Sequence, residues 1–140
     1  MTHAPLGDAL LLAARFLLAA LFLIFGWRKL RDLPGTVSQM AQLRVPAPAL
    51  AAAVATFMEL PVAFAVAAGA FARAAALLMA LYTVGTAFLG HHYWTAAAAD
   101  RVEVMDGFYK DLSIVGGFVL LYITGPGRYS IDTLCGIGAP

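Results

Sequence analysis

The apolar runs of this chain are too long and too continuous for a water-soluble core. The first reads LLLAARFLLAALFLIFGW from Leu10 to Trp27, with Arg15 as its one charge. A helix of a soluble protein keeps a polar face opposite its apolar stripe. Here almost the whole circumference has to meet lipid or another helix. Three further runs follow, and the four cover about 9–27, 49–71, 74–91 and 108–124. About 20 apolar residues suffice to cross a bilayer as a helix, which satisfies its own backbone there. The expected fold is all-α: a polytopic, four-transmembrane-helix bundle taking residues 1–140 as one membrane domain. In the fourth run the purely apolar part, Leu112 to Ile123, is short. Tilt, local thinning of the bilayer or a buried polar first turn has to complete its crossing.

Composition points the same way. The 140 residues are 62% hydrophobic and 12% charged, against about a quarter charged in soluble domains. The net charge of +1, with no basic tract carrying interleaved aromatics, gives nucleic acid no footing. One cysteine, Cys135, excludes an intrachain disulfide and a CxxC redox pair and reads as an unreactive tail residue.

The connectors set the topology. The first run lacks a basic leader and ends in Arg28, Lys29 and Arg31, so it reads as a retained span and not a signal peptide. The segment Arg31 to Pro48 is a polar connector whose middle, Val37 to Leu43, fits a short interfacial helix. Gly69 to Arg73 is a tight turn that makes the second and third spans antiparallel neighbours. Ala51/Ala55, Ala63/Ala67, Gly116 and Gly117 are small enough to let helices approach closely. Arg73 and Arg128 lie on one side of the membrane; Arg28, Lys29, Arg31, Arg44, Arg101 and Lys110 lie on the other. The positive-inside rule then puts both termini outside.

Function is sought among ionisable residues inside these spans, because a charge near the bilayer centre costs on the order of 3 kcal/mol unless paired or hydrated. Glu59 stands mid-span in the second run, and Arg15 within the first. Arg15, Phe22, Gly26 and Lys29 share one helical face, which should point into the bundle. Pairing of Glu59 with Arg15 is the favoured structural reading, and Lys29 is expected to snorkel to its interface. Pro61 frees the carbonyl of Phe57 close to Glu59, leaving an acceptor for a cation, a water or a polar headgroup. Lys110 and Asp111 open the fourth span where the third delivers His91 and His92. The two histidines, with Tyr93 and Trp94, fit an interfacial belt better than a metal site, and His3 stands alone. The candidate ligand-binding set is Arg15, Lys29, Glu59, His91, Lys110 and Asp111, with no metal.

Read in order, the chain carries an arginine in the first span closed by G-x-x-K (Arg15, Gly26, Lys29), Glu59 mid-span, and a G-x-x-x-R turn (Gly69, Arg73). H-x-Y-W (His91, Tyr93, Trp94), F-x-K-D-L with a glycine pair (Phe108, Lys110, Asp111, Leu112, Gly116, Gly117) and GPGRYSID (Gly125 to Asp132) follow. This succession resembles the DoxX family of small four-helix membrane proteins over nearly the whole chain. Asparagine is common in that family where Asp111 stands here. The resemblance implies a multi-pass inner (plasma) membrane protein, some of whose relatives are linked to quinone-dependent sulfur oxidation or thiol-redox complexes.

Three functions compete. A quinone- or redox-associated subunit would hold a quinone headgroup with Glu59, Lys29, His91 and Lys110, which supply donors and a proton path. The chain carries no evident flavin, haem or iron–sulfur motif, so any redox step would need a redox partner protein or the quinone itself. A lipid-binding or scaffold protein would use the buried charges to fix helix register. A small dimeric transporter also needs a buried glutamate, but one without the compensating cations present here.

Overall fold

The computed structural model describes residues 5–137, so His3 lies outside the described residues. Every regular element in that range is helical. Helix α1 runs Pro5–Arg31, with Asp8 in its first turn and Arg28, Lys29 and Arg31 in its last, each end matched to the helix dipole. Helix α2, Leu33–Gln42, is a short helix in the connector that starts four residues earlier than the expected Val37. Asp32 caps it by accepting the Gly35 N–H at 2.9 Å. Helix α3, Pro48–Ala68, contains a π-turn at Met58–Val62. Helix α4 is Ala72–Gly90, and α5 is Arg101–Thr124. A single turn, α6, covers Ile131–Leu134.

Three segments are long and apolar enough to cross a membrane: Pro5–Arg31, Pro48–Ala68 and Ala72–Thr95. Helix α5 starts at Arg101, two turns before the expected start near Phe108. Its 24 residues give about 36 Å of helix at 1.5 Å per residue. Its first turns carry Glu103, Asp106, Lys110 and Asp111, so its length comes from polar residues that hydropathy alone discounts.

Helices α4 and α5 form the most extensive helix pair, and α1 packs along α3. The core between them is built from Phe22, Met58, Val62, Val66, Met79, Phe118 and Leu121. The inward face of α1 is the expected one: Asp8, Arg15, Ala19, Phe22 and Gly26 are buried along it. Of the small residues, Gly117 receives Leu18 of α1, where a Cβ would come within 2.9 Å of its Cδ2. Gly116 meets nothing within 4 Å and mediates no close approach. The turn between α3 and α4 places Gly69 at φ +67° and Phe71 at φ +45°.

The tail 125–137 folds back over this turn. Asp132 accepts the Phe71 N–H at 2.7 Å and the Ala72 N–H at 2.8 Å, capping α4 from 60 residues away. Asp8 accepts the Arg128 N–H at 2.9 Å. Arg15, only 1% exposed, donates to the carbonyls of Pro126 at 2.6 Å and Tyr129 at 2.5 Å. Gly69 leaves room for that guanidinium, since a Cβ there would stand 2.5 Å from Nη1.

Candidate functional site

Arg15 and Glu59 do not pair. About 21 Å of helix, at 1.5 Å per residue, separates Arg15 from Lys29, and the layer around Phe22, Met58, Val62 and Phe118 lies between the two polar ends. Arg15 instead ties the tail to the bundle. Glu59 takes Lys29, whose Nζ stands 2.6 Å from Oε2. Lys29 therefore turns to the carboxylate rather than snorkelling, with its side chain 20% exposed.

The second oxygen of Glu59 is also used. Tyr82 of α4 donates its hydroxyl to Oε1 at 2.6 Å. Glu59 is 4% exposed, so α1, α3 and α4 meet at one buried carboxylate with two donors. Tyr82 was not singled out in the sequence. Its signal is a hydroxyl within an apolar run, which needs a partner once buried.

Two local features let the helices come this close. Pro61 sits inside the π-turn, where Ala63 donates to Met58, five residues back. The proline is thus accommodated by widening the helix, and the widened turn carries Glu59 toward α1. Gly26 faces it: a Cβ at that position would lie 2.8 Å from Glu59 Cβ and 2.9 Å from its backbone carbon. The expected freed carbonyl is less informative than this widening and the close contact it permits.

A second polar pair lies at the α4–α5 end. His91 Nδ1 donates to Asp111 Oδ2 at 2.9 Å, with Asp111 7% exposed overall. His91 thus has a buried partner in Asp111 while its ring stays partly exposed, and Asp111 answers His91 rather than Lys110. His92 and Trp94 remain near the surface, their rings 6.3 Å apart. Lys110 is exposed and lines a cleft of about 320 Å³ with His91, Glu103, Asp106 and Gly107. An open apolar groove of about 490 Å³ runs beside the π-turn, lined by Leu30, Val37, Ala52, Phe57, Leu60 and Pro61 among others. Among the described residues no group of three or more His, Cys, Asp and Glu could hold a metal ion.

The structure thus joins Lys29 to Glu59 and His91 to Asp111, sets Lys110 at the mouth of the His91 cleft, and leaves Arg15 at the opposite end. The Lys29–Glu59–Tyr82 cluster can present the remaining N–H donors of the ammonium, and the carboxylate and phenol oxygens as acceptors, to a ligand.

The sequence matches the DoxX family profile over residues 10–92, from α1 through His92. It is 46% identical over 123 residues to "Inner membrane protein YphA" of Escherichia coli (strain K12), covering 88% of each chain. It is 38% identical over 129 residues to "Inner membrane protein YqjF" of the same organism, covering 92% of this chain and 94% of that one. No solved structure is significantly similar to it.

Proposed function

The chain belongs to the DoxX family of inner membrane proteins, and from that premise we propose that it is a quinone- or redox-associated subunit holding a quinone headgroup at Lys29, Glu59 and Tyr82. One observation carries the reading. A buried carboxylate with two donors stands on a π-turn whose other side, at Leu60 and Pro61, borders an open apolar groove. A quinone has matching parts: two carbonyl acceptors on a flat ring and an apolar tail. The Lys29 ammonium has three N–H donors and gives one to Glu59, so it can also serve a ring carbonyl. Glu59 can accept a hydroxyl of the reduced ring. His91, Lys110 and Asp111 form the polar flank of this site, and Arg15 belongs to the tail clasp. Reduction of the ring takes two electrons from a partner redox protein and two protons.

The test is to purify the chain from its native membrane and measure bound quinone by mass spectrometry. Wild type should carry quinone, and Glu59→Gln should lose at least about 90% of it. Phospholipid alone in both preparations would sink the reading. A second reading has its own support: both Glu59 oxygens already have donors, as a register-fixing ion pair in a lipid-binding scaffold would require.

The same proposal takes α1, α3, α4 and α5 as four spans with both termini outside. Removing Lys29 from the loop charges, because it is paired inside, still leaves Arg28, Arg31, Arg44, Arg101 and Lys110 against Arg73 and Arg128. Cys135 is exposed in the tail and is the chain's one cysteine. A membrane-impermeant maleimide should label it in right-side-out vesicles and spare it in sealed inside-out ones. The opposite pattern would invert the topology.

A further inference from the structure

At the other end of the bundle, the tail 125–137 covers a set of donors that suits an oxyanion. Of its side chains only Ser130 and Asp132 are buried, while Tyr129, Ile131 and Leu134 stand exposed. It is therefore held by polar contacts and can leave without opening the apolar core. Beneath it lie two kinds of donor. The first is the start of α4, a 19-residue helix whose Phe71 and Ala72 N–H groups meet the two Asp132 oxygens at 2.7 and 2.8 Å. The second is the buried Arg15 guanidinium. Gly69 touches both sides of this arrangement: a Cβ there would stand 2.5 Å from Arg15 Nη1, and its carbonyl accepts the Asp132 N–H at 3.0 Å. Helix N-termini and guanidinium forks are each well matched to the oxygens of phosphate and carboxylate groups.

The tail serves these donors unequally. It offers the helix a carboxylate but gives the guanidinium only the neutral carbonyls of Pro126 and Tyr129. Arg15 Nε is buried and has no acceptor among the described residues. Both Asp132 oxygens are bonded to the helix N–H groups, and Asp8 takes the Arg128 N–H instead. A buried cation met by two neutral acceptors, with one N–H unmet, is a poor match for its donors. The rim is cationic as well. Arg73 lies beside Gly125 and Arg128 is exposed, and among the described residues neither has a carboxylate within ion-pair distance.

We propose that Arg15 and the N-terminus of α4 form an oxyanion-binding pit, that the tail is a strap closed over it with Asp132 as the built-in occupant, and that a phosphate group from outside the chain displaces the strap. A phosphate can take the place of the Asp132 carboxylate on the Phe71 and Ala72 N–H groups. Its further oxygens give the guanidinium the charged acceptor that the tail carbonyls do not. Strap and anion compete for the same donors, so an anion that binds only the open state shifts the tail toward release. Release frees the exposed Tyr129, Ile131 and Leu134 from the bundle; closure excludes the anion.

The test reads the strap in the full chain and involves neither Glu59 nor quinone. A nitroxide on Cys135, the chain's one cysteine, reports tail mobility through its EPR line shape. The protein is held in dodecyl maltoside micelles, which carry no phosphate. Inorganic phosphate and dihexanoyl phosphatidylglycerol are titrated separately, each against chloride at matched ionic strength. At least one of them should convert the spectrum saturably to the mobile form while chloride leaves it unchanged. Release by inorganic phosphate identifies a free anion as sufficient; release by the lipid alone identifies a headgroup. Asp132→Asn weakens the built-in occupant, so half-release should come at about tenfold lower concentration, because more of the protein is already open. Arg15→Lys in that background should raise it again by about tenfold, because an ammonium lacks the fork. Equal release by chloride would reduce the effect to screening and overturn the proposal. A tail that stays clasped at every concentration of both phosphates would overturn it too, as would a half-release left unshifted by either substitution. If the variants fail to fold or start fully released, the wild-type comparison with chloride decides alone.

Discussion

Lys29→Met should destabilise the bundle by about 3–5 kcal/mol, the range for stranding one member of a buried ion pair. The partner left behind is Glu59, 4% exposed, with Tyr82 as its remaining donor. Exchanging both residues should cost much less than Lys29→Met alone, because a buried pair replaced by apolar groups of similar volume is often neutral. A double-mutant cycle on Lys29→Met and Glu59→Met, read by denaturant unfolding in detergent micelles, measures the difference. Additive effects would mean that the 2.6 Å pair carries no coupling and that Lys29 and Glu59 act separately.

Arg15→Ala should act at the other end. It leaves the carbonyls of Pro126 and Tyr129 without their charged donor, and hydrogen bonds to a charged group contribute about 1.5–3 kcal/mol each, less where water replaces the donor. The first consequence is local: the tail should open before the bundle does. Arg128 lies in that tail and is held by its N–H to Asp8. Trypsin cleavage after Arg128 should therefore speed up by roughly 100-fold for about 3 kcal/mol of lost local stability. Arg15→Lys should fall between, because an ammonium cannot span two carbonyls as the guanidinium fork does. Unchanged cleavage in Arg15→Ala would show that Asp132 and Asp8 hold the tail without it.

The apolar runs and the inward face of α1 were legible in the sequence because both are periodic and local. Glu59 stood out because a carboxyl mid-span is costly in lipid unless it is paired or hydrated. Its partner was misread, since two cations were available and sequence distance does not tell which side chain reaches. Lys29 wins because Gly26, one turn before it, lets α1 close onto the π-turn. Tyr82 was hidden among apolar neighbours on a different helix. The capping of α4 by Asp132 was hidden too, being a contact between residues 60 apart. The start of α5 at Arg101 was missed for a related reason. Its first turns are polar because they line the His91 cleft, and hydropathy cannot distinguish that from a loop.

Whether the Lys29–Glu59–Tyr82 cluster binds a quinone headgroup is read from a melting curve with added short-chain quinone. A ligand present at about 100 times its Kd stabilises the folded state by roughly 2.7 kcal/mol, enough to raise Tm by several degrees. That rise is expected in wild type and should be absent in Glu59→Gln and Tyr82→Phe, with each variant compared to its own quinone-free curve. No rise in wild type, or an equal rise in all three proteins, would contradict it.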